Sequence, residues 1–327
     1  MNGEPRRSRG VLFLAALVYA LAVAFLPWAE WRRADFVDVA NYERQFLASE
    51  GLVQGGFATV DEVVGLLTGE YLWRLILASC VRFGIEFASL LTGITLVTSG
   101  VGFLLVARSL GIGWAFVLMA NPILLDLYVS QVRSALASTL LLTVLVLAAS
   151  SRVRTLWLSI PIAVTALIHT SMVVLGGIGG LARIWARRPA LSDGRIRAMT
   201  VGLAAVLALA ASLFANQVLS GLGDRRVLSD DNLRSTTYVA YWVLLGLFLA
   251  LRGRDDLCRR EEGVLGIGAL LLGGFGELLG VPLFRFVAMG LPMVLASFAR
   301  LPRTDRTLVS LATALYGVLQ FVYWLGL

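Results

Sequence analysis

The sequence predicts an all-α, polytopic integral membrane protein, and three observations predict it. Mean hydropathy is +0.82 and 58% of residues are hydrophobic, well beyond the composition of a soluble domain. The apolar residues form long continuous runs, several approaching the ~20 residues that an α-helix needs to cross hydrocarbon. They lack the two-residue alternation of barrel strands. The basic residues number 28, all arginine, and they gather mainly between the runs.

The elements follow in order. Arg6, Arg7 and Arg9 precede an apolar run over 11–27. No small-residue cleavage site follows it, so a retained first span is expected rather than a signal peptide. Further basic segments fall at 108, 152–154, 183–197, 252–260 and 300–306. Basic loops stay in the cytoplasm, so an even number of crossings should separate each pair. An outer segment over 28–82 is expected after the first span, with an interfacial or re-entrant helix at 71–82. Spans are then expected at 86–107, 112–128 and 132–149. A short pair of about fourteen residues each surrounds His169, inside the apolar stretch 156–184. The last spans are 198–219, 237–251, 264–279, 282–299 and 307–325, with an outer loop at 220–236. This gives about eleven spans in one domain over 1–327, short or broken around an outward-facing cavity. The N-terminus is placed in the cytoplasm and the C-terminus in the periplasm.

The formal charge of +7 marks cytoplasmic loops, which removes nucleic acid as the expected partner. Cys80 and Cys258 fall on opposite sides of this topology. No metal-binding spacing surrounds either, so neither a disulfide nor a metal is expected.

The polar residues at membrane depth carry the functional reading. His169 is the single histidine, and an ionisable group within an apolar stretch marks a site by default. With both flanks basic, the chain should go out and return around it, placing His169, Thr170 and Ser171 at an outer turn. The same topology puts Asp35, Asp38, Tyr42, Glu43 and Arg44 on the first outer segment. It puts Asp126, Gln131 and Arg133 at the turn before 132–149, and Glu277 and Arg285 at the turn before 282–299. A second outer loop carries Asp224, Arg225, Arg226, Asp230, Asp231 and Arg234. Each has a structural alternative. Arg133 and Arg285 can reach to headgroups as interfacial anchors, His169 can bond a carbonyl at a helix break, and Glu277 can pair with Arg285. Most of 224–234 can be a solvated loop.

Five segments together resemble the EpsG-like group of Wzy-type polysaccharide polymerases. "ADFVDVANYERQF" resembles that family's aspartate-rich segment with an Asn-Tyr pair. "GEYLWRLILASCVRFG" is similar to its glutamate-initiated segment, although the proline often found there is absent and Tyr71 follows Glu70. "SQVRSALASTLLL" resembles its arginine-bearing helix start, "ALIHTSMVV" its helix break with His followed by Ser, and "VPLFRFVAMGLP" its late arginine-bearing helix. The order matches over about 35–292. The resemblance implies a membrane glycosyltransferase that polymerises undecaprenyl-diphosphate-linked oligosaccharide repeat units at the outer leaflet of the bacterial inner membrane. The products are O-antigen, capsule or exopolysaccharide chains. It leaves room for a chain-length regulator and a flippase as partners.

Such a transfer needs a base for a sugar hydroxyl and cations for a departing diphosphate. His169, Asp38 and Glu277 are the rival bases. Arg133 and Arg285 are the expected diphosphate ligands, with Arg74 and Arg82 in reserve, because a guanidinium engages phosphate with two parallel donors. Gln131, Asp35 and Tyr42 complete the expected substrate-binding set. No cofactor is expected. Two other classes stay open: a lipid-linked oligosaccharide flippase or other transporter, and a membrane acyltransferase using His169 as base. The glycine run 176–180 lacks the serine that a rhomboid-type protease would need.

Overall fold

The computed structural model describes residues 9–32, 36–49, 71–149, 155–221, 236–253 and 257–326. Among these residues there are fifteen α-helices, three short 3-10 turns and no β-strand. Cα proximity divides the chain into two compact units. Unit 1 is Met1–Thr139 with Leu167–His169 and Leu308–Leu327; unit 2 is Leu140–Ala166 with Thr170–Thr307.

Unit 1 opens with α1 (Arg9–Phe25), α2 (Trp28–Trp31) and α3 (Val37–Ala48), followed by α4 (Tyr71–Arg82) and α5 (Phe87–Leu110). It continues with α6 (Ile112–Met119), α7 (Pro122–Val129) and the start of α8 (Val132–Ala149), and it includes most of α15 (Arg303–Leu325). One face of α1 packs on α5: the Tyr19 ring stacks on Phe103 at 5.0 Å, and its hydroxyl donates to the Met119 carbonyl at 2.8 Å. The other face leaves Phe13, Leu14, Val18 and Leu21 exposed. Along α15, Leu311, Leu315, Val318 and Leu319 are exposed in the same way. Contiguous exposed apolar surface on this scale is a membrane face rather than a water face. Among the described residues, three helices are long and apolar enough to cross a membrane: α5, the Asp193–Phe214 part of α11 and α15.

The expected straight span over 112–128 is corrected by the structure. It is two eight-residue helices, α6 and α7, bent by 77° at a short break. The cause is Asn121-Pro122. The Asn121 side chain accepts from the Ile123 amide at 2.9 Å and caps α7. Pro122, lacking an N–H, occupies the first turn of α7, where a missing donor costs least. Asn121 also donates to Gln320 Oε1 at 3.1 Å, tying the bend to α15. The pair together supplies a fourth candidate span.

Unit 2 holds the rest of α8, α9 (Ser159–Ile168) up to Ala166, α10 (Met172–Ala186) and α11 (Asp193–Gly221). It also holds α12 (Thr236–Arg252), α13 (Glu261–Leu278) and α14 (Arg285–Ser297). Helix α13 is its centre, packed against α10, α11, α12 and α14. It is buried around almost its whole circumference, as its apolar composition on all sides requires. Six glycines in α13 let neighbours approach closely. A Cβ on Gly266 would lie 3.1 Å from the Val294 Cα on α14. The turn from α13 into α14 passes through Gly280 at φ +78, a conformation that favours glycine.

Polar links close one end of unit 2. Arg197 at the start of α11 donates to the Ala250 and Gly253 carbonyls at the end of α12. Arg252 pairs with Asp305 at 3.3 Å, Arg300 with Glu262 at 3.4 Å, and Arg183 with Glu261 at 3.2 Å. At the other end Ser212 donates to the Leu279 carbonyl at 3.1 Å, and the Phe284 amide donates to Glu277 at 3.2 Å. Successive helices α11 to α14 therefore alternate in direction, with arginines gathered at one end.

Candidate functional site

The best-formed candidate lies in unit 1 at the start of α8. The chain turns out of α7 through a tight reversal in which the Ser130 and Gln131 amides both donate to the Asp126 carbonyl at 3.0 Å. The first helical bond of α8 is Ala135 N–H to the Gln131 carbonyl at 2.9 Å. The amides of Val132, Arg133 and Ser134 thus have no acceptor within the helix, and they carry the positive end of its dipole.

Arg133 occupies the second position of that helix and is only 8% exposed. A guanidinium there sits at the unfavourable end of the dipole and has lost most of its water, so its surroundings must compensate. One compensation is the Tyr42 ring, whose centroid lies 5.5 Å from Arg133 Cζ. Tyr42 meets the Trp73 ring edge-on at 5.4 Å, and Trp73 Nε1 donates to Gln45 Oε1 at 3.2 Å. Leu77, Ile94 and Val132 complete the buried cluster beneath them. Thus α3 supplies the ring, α4 wedges it, and α8 supplies the cation. Three polar atoms nearby in sequence are buried with no hydrogen-bond partner among the described residues: Gln131 Oε1, Ser134 Oγ and the Tyr128 hydroxyl. Ser134 is 1% exposed. A buried cation, the positive end of the helix dipole and an unsatisfied serine hydroxyl occur together at the start of α8, a set of groups suited to an oxyanion.

Arg32 extends this polar layer. It pairs with Asp126 at 3.1 Å and lies over the Phe36 ring at 4.7 Å and the Trp324 ring at 5.9 Å. The sequence offered one local signal for Arg32, its place after the tryptophans that follow the first apolar run. Nothing local pointed to Trp73 or Gln45.

The other expected site residues distribute as follows. Asp38 and Tyr42 are one turn apart on α3, hence on the same face. His169 is buried in the break between α9 and α10 and belongs to unit 1. The break itself falls where the sequence placed it. Arg74 and Arg82 are exposed on α4, away from the face that buries Trp73, Leu77 and Cys80. Glu277 and Arg285 belong to unit 2. The Glu277 carboxylate accepts from the Phe284 amide just before α14, which gives it a capping role. Asp35 and the loop 224–234 lie outside the described residues. Cys80 and Cys258 are both free thiols, and both are buried. No group of three potential metal ligands occurs among the described residues.

No protein-family model matches the chain, and no curated protein or solved structure matches it either. The functional reading therefore rests on the residues themselves.

Proposed function

We propose that this chain is a multi-pass glycosyltransferase of the bacterial inner membrane. In this reading it polymerises undecaprenyl-diphosphate-linked repeat units into a surface polysaccharide, in the manner of Wzy-type polymerases. In this reading the chain has about eleven spans, with the start of α8 on the periplasmic or outer side. The observation that carries the reading is the buried donor surface at the start of α8: Arg133 against Tyr42, with Ser134 unsatisfied beside it.

A sugar hydroxyl of the acceptor repeat unit attacks the anomeric carbon of the growing chain. The new C–O bond forms as the anomeric C–O bond to diphosphate breaks. The bonding pair leaves on the diphosphate, and the hydroxyl proton passes to a base. Undecaprenyl diphosphate is released. Arg133, permanently charged, takes up the charge that develops on the leaving oxygen, an effect worth about 3–4 kcal/mol for one well-placed donor. Asp38 shares a helix face with Tyr42 and is suited to the acceptor hydroxyl. His169, buried at the break between α9 and α10, is the alternative base. Glu277 is the weakest of the three because its carboxylate already holds the Phe284 amide.

The 77° bend between α6 and α7 and the break at His169 favour one second reading, a lipid-linked oligosaccharide flippase, since broken helices line transport paths. The two readings separate on binding of undecaprenyl diphosphate itself, the polymerase's leaving group. The purified protein should retain the radiolabelled lipid, and Arg133→Ala should weaken retention at least tenfold. Equal retention by wild type and variant would remove Arg133 from the site.

A further inference from the structure

Helix α8 begins with two polar side chains in the positions of a capping box that is not closed. Val132 is its first residue, so Gln131 is the N-cap and Ser134 the third helical residue. In a capping box these two side chains lie side by side, and each bonds to the other residue's amide. Here the Gln131 amide is already donated to the Asp126 carbonyl at 3.0 Å. Ser134 Oγ is left buried with no hydrogen-bond partner among the described residues, and so is Oε1 of the half-buried Gln131. The two residues stand on either side of Arg133 along the chain.

The two unsatisfied atoms ask for different partners. A serine hydroxyl both donates and accepts, whereas an amide oxygen only accepts. The diphosphate of a lipid-linked sugar is esterified at both ends and ionised at neutral pH, so it offers acceptors alone. It can take the Ser134 hydroxyl, the Arg133 guanidinium and the Gln131 amide nitrogen, but nothing in it can satisfy Gln131 Oε1. The donor must come from another part of the ligand. The sugar bonded to the diphosphate is the nearest part, with O–H or N–H groups beside its anomeric carbon. A site built to bond such a group rejects the analogue that lacks it, because its own buried atom is then left unpaired. The same contact disappears once the sugar has been transferred, which loosens the undecaprenyl diphosphate left behind.

On the polymerase reading of the Arg133 site, on which this inference rests, we propose that Gln131 is a specificity-determining residue. It accepts a hydrogen bond from the sugar attached to the diphosphate, so the site holds sugar-bearing lipid more tightly than the lipid released after transfer. The purified full-length chain in detergent would be given undecaprenyl diphosphate, either bare or carrying only the first sugar of its host's repeat unit, and the Kd for each measured. The wild type should hold the sugar-bearing lipid at least tenfold more tightly than the bare one. Gln131→Met, similar in length but without the acceptor, should reduce that ratio about tenfold. Its thermal midpoint should match or exceed that of the wild type, since the change removes an unsatisfied buried polar atom. Ser134→Ala should weaken both lipids and keep the ratio. Equal binding of the two lipids by the wild type, or a wild-type ratio in Gln131→Met, would overturn the role of Gln131 while leaving the Arg133 site standing. If Arg133→Ala holds both lipids as tightly as the wild type, the polymerase reading fails, and the role of Gln131 with it.

Discussion

Among the described residues two arginines are buried, one in each unit, and they are buried by different means. Arg183 in unit 2 is 2% exposed and faces a carboxylate, Glu261, at 3.2 Å. Arg133 in unit 1 is 8% exposed and faces an aromatic ring, beside polar atoms whose hydrogen-bonding capacity is unused. A fixed carboxylate neutralises a guanidinium permanently and commits it to structure. A ring face holds a guanidinium through its plane without neutralising its charge. The difference separates a residue that holds helices together from one placed to receive an anion.

The comparison can be broken from either side. The largest expected effect is on stability: Arg183→Met strands Glu261 in a buried site and should cost about 3–5 kcal/mol, read as a lowered thermal midpoint in detergent. Adding Glu261→Leu should return most of that loss, since replacing both partners of a buried pair is often neutral. If the single and double variants melt alike, Arg183 is not held by its ion pair. Next comes Arg133→Ala, expected to lower polymer formation by about 10²–10³-fold with unchanged membrane levels. A fall in membrane levels matching the loss of product would make Arg133 structural, like Arg183. Tyr42→Leu should follow, with a loss of about 0.5–2 kcal/mol in diphosphate binding from the missing ring face. Tyr42→Phe should keep nearly all of it, and equal losses in the two would point to the hydroxyl instead.

The smallest effect concerns Cys258, in the 3-10 turn before α13. Burial pushes its thiol upward, Arg197 pulls it partly back, and Asp193 adds to the rise. A thiol whose folded pKa is raised binds its proton more tightly when folded. Its contribution to stability is therefore full below the unfolded thiol pKa and is lost as pH rises through the folded value. Maleimide labelling of Cys258 at neutral pH should be slow in the folded protein and fast after denaturation. Fast labelling of the native chain would contradict the burial.

Much of the fold was legible in the sequence. The limits of α8, the helix at 71–82 and the break at His169 fall where residue patterns placed them, because apolar runs, arginine clusters and polar interruptions act locally. The bend between α6 and α7 was legible too, in Asn121-Pro122, but the unbroken hydropathy of 112–128 masks that dipeptide. Arg133 and Tyr42 stood out as unusual residues, yet their contact joins α8 to α3 across a long stretch of sequence. The Trp73 wedge, the Arg32–Asp126 pair and the Arg183–Glu261 pair are likewise long-range. Local patterns fix which side chains are candidates, whereas tertiary packing decides which of them meet.

The most direct measurement is a single in vitro reaction. Purified protein is mixed with an undecaprenyl-diphosphate repeat unit from its own host, without nucleotide sugar, and the products are resolved on a gel. The wild type and the Arg183→Met, Glu261→Leu double variant should give a ladder, and Arg133→Ala a single unit. A ladder that persists in Arg133→Ala would contradict the proposed transfer, as would the absence of any ladder while the same protein scrambles that lipid across liposomes.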